Sequence, residues 1–71
     1  MRNHPRDALP NLTALARADA LHVELVGQVR QSLAQAIVAF RAALDAQDPA
    51  QIETTRDWLL QLMTRLREPP R

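Results

Sequence analysis

The chain has 71 residues, which is enough for one small domain and too few for a large hydrophobic core. It has no Cys, so neither a disulfide nor a thiolate metal site stabilises it, and nine Arg against eight Asp and Glu leave a net charge of +1. This near balance argues against a dedicated nucleic-acid binder, which needs a one-sided basic surface.

Residues 1–10 are predicted to form a flexible N-terminal arm, because Pro5 and Pro10 lie among mixed charges there. The arm lacks the apolar core of a signal peptide, and no stretch approaches the roughly 20 apolar residues that span a bilayer. We therefore expect a cytoplasmic protein without membrane contact. A single helical domain is expected over residues 11–68, followed by a tail at 69–71.

The first helical residues are expected to follow Asn11, whose side chain is of a type that caps helix N-termini. Leu12 and Leu15 are out of phase with the apolar residues further along the chain. Residues 11–17 therefore form either a separate short helix or the first turns of a longer one, and the sequence leaves both alternatives open.

Apolar residues then recur at steps of three or four, the spacing that places side chains on one face of an α-helix. Gly27 falls within this pattern at a cost of about 1 kcal/mol relative to Ala, which a helix of this length tolerates. One long helix is therefore predicted over about 18–46. Its apolar stripe consists of Leu21, Leu25, Val29, Leu33, Ile37, Phe40 and Leu44.

The next segment breaks this helix and starts a second one. Asp48 can accept hydrogen bonds from the first free amides, Pro49 suits the first helical position, and Gln51 completes a capping-box pattern. A connection this short makes the two helices antiparallel, so the predicted fold is an all-α helical hairpin with its second helix at about 49–67. The stripe of that helix consists of Ile52, Leu59, Leu62, Met63 and Leu66, and the most buried side chains are expected to be Leu33, Ile37, Phe40 and Leu59.

The second helix has a wider apolar face than one neighbouring helix can cover. With Leu59 at its centre, Trp58 and Leu60 lie on opposite sides, each about 100° away. The long helix has a similar surplus, because small residues flank its stripe. The residues predicted to contact a partner are Trp58, Leu60, Leu62, Leu21, Leu25, Ala36, Ala39 and Ala43.

Two arrangements would cover this surplus. The N-terminal segment can fold back over it and complete a three-helix bundle. Alternatively, another chain can cover it, either a second copy in a four-helix arrangement or a different protein. The sequence analysis favours the second arrangement.

No set of residues points to catalysis, a metal or a cofactor. His4 and His22 lack acidic companions at ligand spacing, and Ser32 has no base at a recognisable spacing. Asp45 and Asp48 flank a turn and are interpreted as caps. We therefore expect a non-enzymatic protein that needs no cofactor.

A further pattern extends from Arg17 to Leu66. It opens with Arg17-Ala18-Asp19-Ala20-Leu21 and continues with the spacing of Leu33, Ile37, Leu44, Asp48, Ile52 and Leu59. These features resemble the opening of the long helix, the following helices and the acidic turn in the C-terminal lid of DnaK-type heat-shock chaperones. In size and layout the chain also resembles the YscE-type small co-chaperones of type III secretion. Both resemblances imply a free-standing protein-docking module connected with chaperone function.

The leading hypothesis is therefore a protein-binding module of chaperone or adaptor type that docks through the apolar face of the hairpin. One alternative is a structural homodimer that uses the same surfaces. Another is a small regulator that inhibits an enzyme or a nucleic-acid machine.

Overall fold

A computed structural model describes residues 4–67 as three α-helices preceded by a 3₁₀-helix. No strand occurs within these residues, so the predicted all-α class is confirmed. The helices pack side by side into an elongated bundle of 47 × 18 × 17 Å. The predicted tail at 69–71 and the first three residues of the predicted arm lie outside the described residues. The elements are the 3₁₀-helix Pro5–Asp7, α1 Leu9–Glu24, α2 Gly27–Ala46 and α3 Pro49–Arg67.

The helices α2 and α3 form the predicted antiparallel hairpin. At the end of α2, Gln47 takes a left-handed conformation with φ 54° and ψ 39°. Its amide donates to the carbonyl of Leu44 at 3.1 Å, and the amide of Asp48 donates to the carbonyl of Ala43 at 3.4 Å. This pair of bonds is a Schellman ending, which satisfies carbonyls that a helix end otherwise leaves free.

Asp48 caps α3 as predicted. Its Oδ1 accepts from the amides of Ala50 at 3.1 Å and Gln51 at 3.4 Å. The reciprocal half of the capping box is replaced, because the amide of Asp48 bonds to Ala43 in the Schellman ending and is not left for the Gln51 side chain. The acidic turn therefore ends one helix and starts the next within two residues.

The single long helix predicted over 18–46 is wrong. The chain leaves the helix at Leu25 and Val26, both extended, and enters α2 at Gly27 with a φ of 68°. A residue with a Cβ is strained at this φ, so Gly27 serves a turn and does not interrupt a helix. We call residues 25–27 the corner. The apolar stripe keeps its phase through the corner, so periodicity alone does not reveal the break.

Because of the corner, α1 folds back along the hairpin and packs against both α2 and α3. Its inward face consists of Ala14, Ala18 and Leu21, all buried. Residues 11–17 are continuous with the helix as far as Glu24, which resolves the alternative that the sequence left open. The arrangement is the three-helix bundle that the sequence analysis did not favour.

The core runs along the axis between the three helices. Its largest fully buried side chains are Phe40, Leu33, Leu44 and Leu59. Three of these were predicted, while Ile37 keeps 7% of its surface exposed and Leu44 is buried more deeply than it. The 3₁₀-helix packs against α2, and its Arg6 lies beside Leu44, so the folded-back N-terminal segment covers this end of the core.

The start of α1 also differs from the expectation. The helix begins at Leu9 with Ala8 in the capping position, so Asn11 lies inside the first turn and is not the cap. Within the predicted arm, His4 Nδ1 accepts from the amide of Arg6 at 3.1 Å, at the start of the 3₁₀-helix. Pro10 fits the first turn of α1 because the amide it lacks has no helical partner there.

We expect Asp48→Ala to lower the free energy of unfolding by about 0.5 to 2 kcal/mol, because two amides at the start of α3 lose their acceptor. Asp45→Ala is the matched control, since Asp45 lies in the last turn of α2, where a negative charge opposes the helix dipole. Urea unfolding followed by circular dichroism measures both. Equal losses for the two variants would contradict the capping role of Asp48.

Gln47→Gly is expected to raise the free energy of unfolding by about 0.5 to 1 kcal/mol, because Gly occupies the left-handed position without strain and loses only part of this gain to the entropy of the unfolded chain. Gln47→Ala keeps a Cβ at the same φ and should differ little from the parent. The same urea titration compares them. A Gly variant that is less stable than the Ala variant would refute the prediction.

Candidate functional site

Trp58 lies on the side of α3 that faces away from α1. The opposite side of α3 is marked by Arg56, whose Nη1 donates to Asn11 Oδ1 at 2.8 Å, and by Leu60, which lines a groove together with residues of α1. Two residues further along a helix lie about 200° around its axis, so Trp58 and Leu60 project to opposite sides. Trp58 is 47% exposed.

Ala39 of α2 lies on the same face of the bundle as Trp58. On α2 the side toward α1 is marked by Arg41, whose Nη2 is 3.1 Å from Asp19 Oδ2. Ala39 precedes Arg41 by two residues and therefore faces away from α1. Leu62 follows Trp58 by one helical turn, and both Ala39 and Leu62 are half-buried. We call Trp58, Leu62 and Ala39 the Trp58 surface.

Three other residues predicted to contact a partner lie in the core of the subunit. Leu21 is on the inward face of α1, and Ala36 and Ala43 are buried in α2. On the same helical geometry Ala36 and Ala43 lie on the flank of α2 away from Arg41, which is the flank toward α3. Their small side chains allow α3 to approach α2 closely, so they serve the hairpin and leave no surface for a partner.

The remaining two predicted contact residues lie apart from the Trp58 surface. Leu25 is half-buried at the corner, and Leu60 is half-buried between α3 and α1. The eight predicted residues therefore do not form one site. The fold-back of α1 divides them into core residues, residues along α1 and the corner, and the Trp58 surface.

An open groove of about 430 Å³ lies between α1 and α3. Its walls are mostly apolar, with two guanidinium groups at Arg17 and Arg56. The sequence does not reveal this groove, because its two walls are at least 39 residues apart in the chain and neither has a distinctive pattern. The lining residues are Leu9, Pro10, Thr13, Ala14, Arg17, Arg56 and Leu60.

Asn11 fixes the geometry of this side of the bundle. It is 5% exposed, its Nδ2 donates to the carbonyl of Pro5 at 2.9 Å, and its Oδ1 accepts from Arg56 Nη1 at 2.8 Å. The amide thus joins the 3₁₀-helix, α1 and α3. Both of its polar atoms are satisfied, which removes the cost of burying them.

Within residues 4–67 no group of three or more His, Cys, Asp or Glu side chains is close enough to hold a metal ion. In the same part of the chain, no helix has both the length and the apolar character needed to cross a membrane. The polar groups that the fold does bring together, Asp19 with Arg41 and Asn11 with Arg56, join helices to one another.

Comparisons with models of protein families, with curated proteins and with solved structures gave no match to this chain.

We expect Asn11→Ala to lower the free energy of unfolding by about 1 to 3 kcal/mol, because it removes the partners of the Pro5 carbonyl and of the Arg56 guanidinium in a partly buried place. Thr13→Ala on the exposed side of the same helix is the control, and it should change the stability by no more than about 0.5 kcal/mol. Thermal and urea unfolding measure both. An Asn11→Ala chain as stable as the control would show that this amide does not hold α1 to α3.

Proposed function

We propose that this protein is a non-enzymatic protein-interaction module of adaptor or chaperone type, and that it docks its partner on the Trp58 surface. The observation that carries the proposal is the 47% exposure of Trp58 on a bundle whose own three helices already cover its core. An exposed Trp is not needed to complete this fold. Its burial is therefore available to stabilise a complex.

The position of Trp58 suits a binding contact. It is adjacent to Leu59, which is fully buried, so the backbone that carries the indole is fixed by the core. Trp combines a large apolar area with one hydrogen-bond donor and is enriched among the residues that dominate binding energies. A backbone that is already ordered loses little conformational entropy when the partner arrives.

The neighbours of Trp58 on this surface indicate the kind of partner. Ala39 and Leu62 are half-buried on the same face of the bundle, along the seam where α2 and α3 pack together. An amphipathic helix laid along this seam would bury the indole and place its polar side toward solvent. A folded subunit that binds such a segment reversibly fits an adaptor or chaperone that works in the cytoplasm.

A purely structural homodimer has less support as the main function. In that hypothesis the small-residue flank of the long helix meets a second copy. Ala36 and Ala43 are instead buried within the subunit. The regulator hypothesis uses the same surface with a different partner, and identification of that partner separates it from the adaptor role.

We expect Trp58→Ala to weaken binding of the partner by about 2 kcal/mol or more, roughly thirtyfold in Kd, while helix content stays nearly unchanged. The tagged 71-residue chain is used to retain proteins from a lysate of its own source. The retained protein is identified, purified and titrated against the parent and the variants by calorimetry. Trp58 emission should shift to the blue as the indole leaves water.

Val38→Ala is the matched control, because Val38 is 65% exposed on α2 and lies outside the Trp58 surface. It removes exposed apolar area without touching the proposed contact and should leave the Kd unchanged. A partner that binds the parent, the Trp58→Ala chain and the Val38→Ala chain equally well would overturn the proposal. So would a Trp58 emission that does not respond to saturating partner.

A further inference from the structure

The apolar stripe of the chain continues through the corner between α1 and α2 without a change of phase. Leu21, Leu25, Val29 and Leu33 follow one another at steps of four, with Leu21 in α1, Leu25 in the corner, and Val29 and Leu33 in α2. This is the spacing of one uninterrupted helix. The corner leaves the stripe incompletely covered, because Val29 is 42% exposed, and within the corner Val26 is 80% exposed.

The corner is also weakly held. Val26, in the capping position of α2, makes no side-chain hydrogen bond that caps the helix. The bond that closes α1, from the amide of Leu25 to the carbonyl of His22, is long at 3.4 Å. A continuous helix would give the free amides and carbonyls at this break their ordinary helical partners.

Gly27 decides which form is adopted locally. Its φ of 68° suits the corner, and nothing lies within 4 Å of the place that a Cβ would occupy. Packing therefore does not require a glycine at position 27. Only the backbone angle φ requires one there. Short turns of this kind between two packed helices are the usual place where identical chains exchange an element.

We propose that the corner opens into a continuous helix from Leu9 to Ala46, and that two copies of this chain then exchange their α1 segments. Opening uncovers Ala14, Ala18 and Leu21, whose complement in this structure is the α2–α3 hairpin. A second copy offers the same hairpin. The bonds of Asp19 to Arg41 and of Asn11 to Arg56 re-form between the two chains.

The continuous helix also brings the exposed valines, Val26 and Val29, into contact with a neighbouring helix. On one helix Val29 lies about 40° and Val26 about 100° from Leu25 around the axis, on the side that carries the core stripe. The two long helices of the dimer pass each other at this point, so both valines gain a neighbour. The exchange surface lies along α1 and the corner, and the Trp58 surface remains free.

Gly27→Ala tests the proposal directly, because Ala is strained in the corner and is the best helix former in the continuous helix. The association constant of the dimer should rise more than about a hundredfold. Each of the two chains escapes the strain of Ala in the corner and gains the higher helix propensity of Ala in the continuous helix. Gly27→Asn is the matched control, since Asn tolerates the left-handed conformation and is a poor helix former. Light scattering over a range of concentrations gives the masses.

Small-angle X-ray scattering then distinguishes exchange from simple association. A helix from Leu9 to Ala46 is about 57 Å long at 1.5 Å per residue, longer than the whole subunit at 47 Å. A dimer of unopened subunits placed side by side has a length close to the 47 Å of one subunit. A Gly27→Ala chain that stays monomeric at every concentration, or that loses helix content, overturns the proposal.

A mixing experiment in the Gly27→Ala background identifies the exchanged contact. One chain carries Asp19→Arg and the other Arg41→Asp, so each alone has like charges at the position of the ion pair. In a mixed exchanged dimer both positions regain opposite charges, and native mass spectrometry should show more than the statistical half of mixed dimers. A statistical mixture means that the subunits associate without exchange, and it contradicts the proposal. Adding Trp58→Ala to both chains should leave the mixed fraction unchanged, which separates this surface from the proposed docking site.

Discussion

The left-handed backbone at Gly27 is the constraint on which the arrangement of the helices depends. With φ at 68°, the chain cannot continue α1 into α2, and it turns back within two extended residues. The contacts of α1 with α2 and α3 follow from this reversal. Ala14, Ala18 and Leu21 meet the hairpin, and Asn11 comes close enough to bond with Arg56.

The reversal changes which apolar surface of the hairpin is exposed to other molecules. Two helices with apolar faces this wide would leave long strips of Leu and Ala in water, which favours association. α1 covers one of these strips with its own small residues, and the side of the bundle away from α1 keeps Trp58. Single exposed apolar side chains such as Leu9, Val23 and Val38 remain elsewhere on the bundle, so α1 covers one strip and does not remove all exposed apolar area.

Neighbouring residues of α3 have opposite roles for a simple geometric reason. Trp58 and Leu59 are about 100° apart around the axis of α3, so Leu59 faces the core while Trp58 is partly exposed to solvent. Leu59 is fully buried and Trp58 is 47% exposed. In the proposed function, stability and recognition are thus carried by adjacent side chains. A change at Leu59 would then disturb both, whereas a change at Trp58 would act on recognition with little effect on the fold.

The sequence by itself determined the helical class, the hairpin and most of its core. Asp48 and Pro49 carry local chemistry that starts a helix wherever they occur, and the spacing of Leu33, Phe40 and Leu59 defines an inward face without knowledge of the partner helix. Trp58 was predicted to lie at the edge of the apolar face, because its angular distance from the stripe depends on helix geometry alone. These are all effects of near neighbours in the chain.

Only the tertiary structure decided where α1 goes, and with it which predicted contact residues remain at the surface. The stripe through Leu25 and Val29 has the same phase in a bent chain as in a straight helix, so periodicity could not locate the corner. The choice rests on Gly27 together with contacts such as that of Asn11 with Arg56, which join residues 45 positions apart. The burial of Ala36 and Ala43, which flank the apolar stripe, follows from the packing of α3 against α2, and no local pattern encodes it.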